Sequence, residues 1–232
     1  MGIFTKLLSK FRSDIPEGHE LYTGNYHDGK VKCVVIPNGK ENIFDGDFYF
    51  KDSLGHGSYQ SAEGQYVRNV KVGEWCFERD ANRRFKQLYV TFDEGRVKGE
   101  LRFLLEEEVI GGVCTSSLTM QVADGKIVGP ITGMLRGGKF RGECDEDGYC
   151  DGTWTLVNGE EEGMQLTEIW NHGRLDKSYK IHIRTKERKE SSVNLLKKVN
   201  YHLEADIHQL LAIVRRGTFG SSIMIKEQKS TT

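Results

Sequence analysis

The feature that most constrains the fold is an eight-residue phrase that recurs five times along the chain. Each copy has a large apolar residue, two further residues, a glycine, a lysine or arginine, and another apolar residue. The copies are YHDGKVKC at 26–33, FDEGRVKG at 92–99, VADGKIVG at 122–129, LRGGKFRG at 135–142 and WNHGRLDK at 170–177. Glycine adopts the positive φ that a short hairpin turn requires at little cost. The phrase therefore predicts hairpin turns at Gly29, Gly95, Gly125, Gly138 and Gly173.

Apolar residues alternate with polar residues between these turns. In LYVTF, residues 88–92, Leu88, Val90 and Phe92 fall on one face of an extended strand. Segments of this kind, about a dozen, follow one another with no helical pattern between them. Strands joined by short loops are antiparallel neighbours, so the sequence predicts a mainly β fold. It is a long antiparallel meander of stacked β-hairpins over 19–184, with turns on both edges of the sheet.

Five segments, 22–33, 44–57, 63–75, 132–142 and 149–154, resemble the MORN repeat, a hairpin unit with regularly placed aromatic residues and glycines. Gly24, Gly46, Gly64, Gly133 and Gly152 match its first glycine, and Gly29 and Gly138 match its turn glycine. The uneven spacing is most similar to irregular bacterial variants of the repeat, some of which are antitoxin-like. The resemblance implies a curved β-ribbon that serves as a scaffold or interaction surface, in some members with anionic lipid.

Composition narrows the possible partners and compartments. The chain has 33 basic and 34 acidic residues and a formal charge of −1, so no global field attracts nucleic acid. Five cysteines without regular spacing form a poor disulfide framework. No apolar run approaches the roughly 18 residues that a membrane span requires, and the N-terminus lacks a cleavage site typical of signal peptides. We therefore expect a cytoplasmic protein with reduced thiols.

Residues 1–13 predict an N-terminal amphipathic helix. The apolar side chains at helical spacing are Ile3, Phe4, Leu7, Leu8 and Phe11, and the basic residues include Lys6 and Lys10. One interpretation is a helix that caps the open end of the sheet. The other is an anchor that lies on an anionic membrane or in a partner's groove.

Residues 190–216 predict a C-terminal helix. A heptad pattern runs through Val193, Leu196, Asn200, Leu203, Ile207, Leu210 and Val214. The single asparagine favours a two-stranded homodimer, because a buried asparagine fixes register. The additional apolar residues beside the heptad instead favour a helix docked on the sheet. The basic run 180–189 is interpreted as a linker to this helix, and residues 226–232 as a disordered tail.

The search for catalytic or metal-binding chemistry yields few candidates. The seven histidines are scattered and do not form the H-E-x-x-H pattern of a zinc site. Asp145, Glu146, Asp147 and Asp151 lie around one turn, but they lack the remainder of a calcium loop. Cys144 and Cys150 are spaced too widely for a C-x-x-C motif. We therefore expect no cofactor, no metal and no enzymatic activity.

These expectations favour a protein-interaction module. We expect a partner protein, for example a toxin neutralised stoichiometrically, to bind an aromatic face of the sheet. The aromatic residues predicted to form that face are Tyr26, Phe48, Tyr66, Trp75, Trp154 and Trp170. The alternative is peripheral binding to an anionic membrane through the N-terminal helix and the basic linker. A third alternative, an enzyme whose site is assembled from loops, has no candidate residues.

Overall fold

The computed structural model describes residues 15–26, 29–39, 41–158 and 162–191, together with Asp206, Gln209, Leu210 and Ile213. Within these residues, 14 strands form a single sheet in which spatial order follows chain order, and every neighbouring pair is antiparallel. This confirms the predicted mainly β meander of hairpins.

The first seven strands are β1 (Glu20–Tyr26), β2 (Gly29–Asn38), β3 (Glu41–Gly55), β4 (Ser58–Val67), β5 (Val70–Ala81), β6 (Arg84–Asp93) and β7 (Arg96–Val109). The others are β8 (Gly112–Ala123), β9 (Lys126–Leu135), β10 (Gly138–Cys144), β11 (Cys150–Val157), β12 (Met164–Asn171), β13 (Arg174–His182) and β14 (Arg188–Glu190).

Most hairpins close with two residues that both have positive φ, the geometry that matches the twist of the flanking strands. At the β8–β9 turn, Asp124 and Gly125 have φ of 49° and 77°. Gly95 and Gly173 occupy the same position, each with φ of 80°. Two of the predicted turn glycines lie elsewhere.

The fourth phrase turns at Gly137, with φ of 80°, and Gly138 is the first residue of β10. Gly29 is the first residue of β2 and does not require a positive φ. It is constrained by space, because a Cβ there would lie 2.7 Å from the Phe50 ring. The recurring phrase shows only where glycine occurs, and glycine is required for two different reasons. A turn requires its positive φ, whereas a close neighbouring side chain requires the absence of a Cβ atom.

A second recurrent glycine lies inside each odd-numbered strand from β3 to β11. At each of these places the preceding strand advances by two residues while the odd-numbered strand advances by four, so the odd-numbered strand carries a bulge. On β4 and β5, for example, Glu63 pairs with Cys76 and Gln65 pairs with Val72. The bulge glycines are Gly46, Gly73, Gly99, Gly129 and Gly152, with φ of 126°, 66°, 79°, 67° and 67°. Since a bulge bends its strand and increases the twist, the structural repeat is a pair of strands with one bend.

The residue two positions after each bulge glycine is buried in the core. These residues are Phe48, Trp75, Leu101, Ile131 and Trp154. They lie on one side of the sheet, which we call the inner face. Rows of side chains cross it from strand to strand; Phe77, for example, is opposite Leu88, which is opposite Phe103. The core is one continuous cluster on this face.

The ends of the chain depart from the predicted boundaries where they are described. The basic run 180–189 contains the end of β13 and the start of β14, so it extends the sheet rather than forming a linker. Asp206, Gln209, Leu210 and Ile213 are helical, and Leu210 is fully buried in the core cluster. The N-terminal helix, the other heptad positions and the predicted tail lie outside the described residues.

Candidate interaction faces

The inner face contains most of the aromatic residues predicted to bind a partner, and it is covered. Phe48, Tyr66, Trp75 and Trp154 are between 0% and 6% exposed. Trp170 is partly buried against the core cluster. Tyr26 belongs to β1, and its side chain lies outside the described residues. The first four rings are therefore core residues and do not form an exposed contact surface.

The structure brings three of these rings together and places Trp154 in a second cluster. Tyr66 is 5.1 Å from Trp75 and 5.2 Å from Phe48, measured between ring centroids. Trp154 instead packs at 5.8 Å on Phe140 in the second half of the sheet. Aromatic pairs at such separations add about 0.5–1.5 kcal/mol beyond the burial of their area. The two clusters therefore stabilise different parts of the ribbon.

The polar edges of the two buried indoles have partners inside the chain. Trp75 Nε1 donates to the carbonyls of Gln65 and Val72, each at 3.2 Å. Trp154 Nε1 donates to the carbonyl of Asp151 at 3.0 Å. In both cases one acceptor lies three residues before the tryptophan, because the bulge turns that carbonyl towards the ring. These donors satisfy the backbone and are not available to a partner.

A buried charged cluster fixes the described C-terminal residues to the inner face. Lys86 Nζ lies 2.5 Å from Asp206 Oδ1 and 2.9 Å from Gln209 Oε1. Arg84 lies 3.5 Å from Asp206 Oδ2 and 2.8 Å from Glu107. Losing one partner of such a pair leaves an uncompensated charge in a dry environment. Together with Leu210 in the core cluster and Ile213 packed against it, these contacts place the described C-terminal residues against the inner face.

The opposite side of the sheet, the outer face, has a different character. A row of side chains crosses five strands, in which Cys76 is opposite Tyr89 and Tyr89 is opposite Arg102. Three residues of this row, together with two beside it on β3 and β4, form a group that we call the outer patch. The outer patch consists of Tyr49, Tyr59, Tyr89, Lys51 and Arg102. All five side chains reach solvent.

Cations lie against two of the rings of the outer patch. Lys51 Nζ is 4.1 Å from the centroid of the Tyr59 ring, and the Arg102 guanidinium is 4.9 Å from that of Tyr89. Arg102 also pairs with Glu74 at 2.8 Å. A cation over an aromatic face contributes about 0.5–1 kcal/mol at an exposed site. The contacts hold the rings in defined positions while the patch stays accessible.

The phenols of the outer patch stay protonated at neutral pH. Burial, with a smaller contribution from the Glu63 carboxylate, raises the pKa of Tyr49 to about 12. Burial also raises the pKa of Tyr89 to about 12. The Cys76 thiol beside it has a pKa of about 12 for the same reason. These groups can donate neutral hydrogen bonds, and they are poorly suited to act as nucleophiles or bases.

Sequence reasoning missed the outer patch, although the signal is present. Tyr49 lies between Phe48 and Phe50, and Tyr89 lies between two buried aliphatic residues, so both have the opposite parity to the core. An aromatic residue at a solvent-facing strand position is the pattern that marks such a patch. Most of the aromatic residues predicted to bind a partner instead occupy the strand positions that face the core.

A second accessible apolar feature is the tip of the β7–β8 hairpin. Val109, Ile110 and Val113 are exposed, Ile110 completely. Three glutamates at 106–108 precede the tip.

The acidic turn between β10 and β11 is closed by its own hydrogen bonds. The Asp145 carboxylate accepts from the backbone N–H groups of Asp147 at 3.0 Å and Tyr149 at 2.8 Å, and it pairs with His172 at 2.6 Å. Backbone donors and His172 hold the pKa of Asp145 below its usual value, against the opposing effect of desolvation. Across the described part of the chain, no three His, Cys, Asp or Glu side chains are grouped to hold a metal ion.

Comparison with protein-family models and with curated proteins identifies no relative of this chain. No family model matches the chain, and no curated protein matches it. A helix long and apolar enough to cross a membrane is absent from the part of the chain that the structure describes.

Proposed function

We propose that this chain is a non-enzymatic, MORN-like repeat scaffold that binds a partner protein through the outer face of its sheet. The observation that carries the proposal is the outer patch, where three tyrosines and two cations lie on β3, β4, β6 and β7, with Glu63 and Cys76 between Tyr49 and Tyr89 in the same row. Tyrosine and arginine are enriched among the residues that dominate binding energy at protein interfaces. The docked C-terminal residues leave this face accessible, because they contact the inner face.

The patch combines the features of a contact surface on a rigid support. The strands fix the backbone of each anchor, and the cation contacts restrict Tyr59 and Tyr89, so little side-chain entropy is lost on binding. Glu74, which pairs with Arg102, is exposed at its margin as part of a polar rim, and Glu63 lies within the row between Tyr49 and Cys76. A toxin neutralised by stoichiometric binding is one partner that such a surface suits.

Affinity purification with matched variants tests this function. The intact chain, a Tyr89→Ala/Arg102→Ala variant and a Tyr179→Ala/Arg141→Ala control are used as baits under identical conditions. The control removes the same residue types from the outer face, on β13 and β10. We expect one stoichiometric partner to be retained by the intact chain and the control, and to be lost from the patch variant. Equal retention by all three baits would contradict the proposal.

A second candidate is binding to an anionic membrane surface, favoured by the exposed cationic turn that joins β13 and β14. Arg184, Lys186, Arg188 and Lys189 are exposed there. Each cation near an anionic surface contributes about 1 kcal/mol. Cosedimentation with phosphatidylserine vesicles that is lost in salt and in an Arg184→Glu/Lys186→Glu variant would support it. Equal sedimentation with phosphatidylcholine vesicles would exclude it.

A further inference from the structure

Cys144 and Cys150 lie directly opposite one another on β10 and β11. The next pair outward, Asp145 and Tyr149, is joined by a hydrogen bond from the Asp145 N–H to the Tyr149 carbonyl at 2.9 Å. Because paired residues of an antiparallel ladder alternate, the two cysteines form a non-hydrogen-bonded pair. The Cα atoms of such pairs are about 4.5 Å apart, within the range of about 4.4–6.8 Å that a disulfide spans.

The surrounding hydrogen bonds hold this pair in place. The Asp145 carboxylate closes the turn between the strands, and the Gly173 N–H donates to the Cys150 carbonyl at 2.8 Å. Both cysteine side chains lie with the core cluster on the inner face. A bond between the two sulfurs therefore requires no change of register or strand position.

The remaining cysteines have no such neighbour. Cys33 faces Phe48, Cys76 faces Tyr89, and Cys114 faces Glu107 across their strand pairs. All five cysteines are free thiols in the structure. Position alone thus distinguishes the pair at 144 and 150 from the other three.

The two thiols of the pair are also chemically unequal. Cys150 is partly exposed, whereas Cys144 is buried. A hydrogen bond from Cys144 lowers the pKa of Cys150, although burial and the carboxylates of Glu168 and Asp145 oppose the effect. The same hydrogen bond and burial raise the pKa of Cys144. Cys150 is therefore the thiol that ionises first and that a reagent can reach.

We propose that Cys144 and Cys150 form a dithiol that exchanges with low-molecular-weight disulfides, such as oxidised glutathione, to give a cross-strand disulfide. The Cys150 thiolate attacks one sulfur of the small disulfide and expels one thiolate. Cys144 then loses its proton to solvent and attacks the Cys150 sulfur, and the second small thiol leaves. Two protein thiols are oxidised and one small disulfide is reduced to two thiols.

Equilibration of the intact chain in glutathione buffers of increasing oxidised fraction tests the site. After denaturation, alkylation and mass spectrometry, we expect a single transition that removes two of the five alkylatable thiols, with 144 and 150 joined in one cross-linked peptide. A Cys114→Ser control should show the same transition. No 144–150 link in fully oxidised glutathione, or earlier oxidation of Cys33 or Cys76, would overturn the proposal.

Single substitutions of the pair test the order of attack. In Cys144→Ser, Cys150 should accumulate a stable mixed disulfide with glutathione, because no second thiol resolves it. In Cys150→Ser, formation of the mixed disulfide at Cys144 should be at least tenfold slower, since that thiol is buried and its pKa is raised. Comparable rates in the two variants, both checked for the native circular dichroism spectrum, would refute the assigned order.

Discussion

The inner and outer faces of the sheet are built from the same strands, yet they differ in what their aromatic residues do. On the inner face Trp75 is fully buried and its indole N–H bonds to backbone carbonyls. On the outer face Tyr89 reaches solvent and contacts a guanidinium. The two rings lie on adjacent strands, and Tyr89 precedes the residue that pairs with Trp75. Aromatic content therefore does not identify a binding face. The face is identified by the side of the sheet on which each aromatic side chain lies and by whether that side is buried.

Removing a ring from each face gives the sharpest test of this difference. Trp75→Ala should destabilise the fold by about 3–5 kcal/mol, because it leaves a cavity under Phe48, Tyr66 and Phe77. Tyr89→Ala should cost about 0.2–1 kcal/mol, the scale of a cross-strand pair at the surface. Urea unfolding followed by circular dichroism measures both. Similar losses would show that the faces are energetically equivalent and would refute the distinction.

The buried ion pair tests whether the C-terminal residues belong to the inner face. Asp206→Ala should cost about 3 kcal/mol, because it removes the carboxylate beside buried Lys86, and the Gln209 amide that also contacts Lys86 carries no charge. A Lys86→Met/Asp206→Leu variant removes both charges and should lie close to the original stability. If Asp206→Ala has no effect on unfolding, the helical residues do not cover this face.

The bulge glycines test whether backbone bending supports the inner face. Gly73 has φ of 66° and open space around its Cβ position, so Gly73→Ala should cost about 1–2 kcal/mol from backbone strain alone. Gly64→Ala provides the contrast. The backbone at Gly64 does not have a positive φ, so alanine causes no backbone strain there, but its Cβ atom would collide with the Trp75 ring. We expect Gly64→Ala to alter tryptophan fluorescence and Gly73→Ala to leave it nearly unchanged. The reverse result would contradict the assigned roles.

The smallest expected effect concerns a pair near the sheet edge that belongs to neither aromatic cluster. His19 Nε2 lies 2.9 Å from Asp45, and this hydrogen bond raises the pKa of His19 and lowers that of Asp45. The His19 contribution to stability is complete below pH 6.5 and is lost as pH rises through the higher folded pKa. The Asp45 contribution is present above pH 3.8 and is lost on acidification.

An NMR titration of His19 in the intact chain and in Asp45→Asn measures this shift. The pKa should be higher in the intact chain, with His56 as an internal reference in both proteins. An unchanged His19 pKa in the variant would show that the pair does not form in solution.

Much of the architecture could be anticipated because it is local. Alternation placed Leu88, Val90 and Phe92 on one face, and the glycines at 95, 125 and 173 mark turns with positive φ. The basic run 180–189 was misassigned because charged residues at an exposed edge strand resemble those of a linker. The bulge glycines were missed because their spacing, at 46, 73, 99, 129 and 152, differs from that of the turn phrase.

The sequence by itself determined the antiparallel meander, since period-two alternation and turn residues act over only a few positions of the chain. Only the tertiary structure decided which face is covered and which thiols meet. Asp206 and Lys86 are 120 residues apart in sequence, and the pairing of Cys144 with Cys150 depends on the register shift at the β10–β11 bulge. Burial of the inner face depends on distant segments brought together, and the cysteine pairing, although it spans a single hairpin, depends on a bulge that period-two alternation does not reveal.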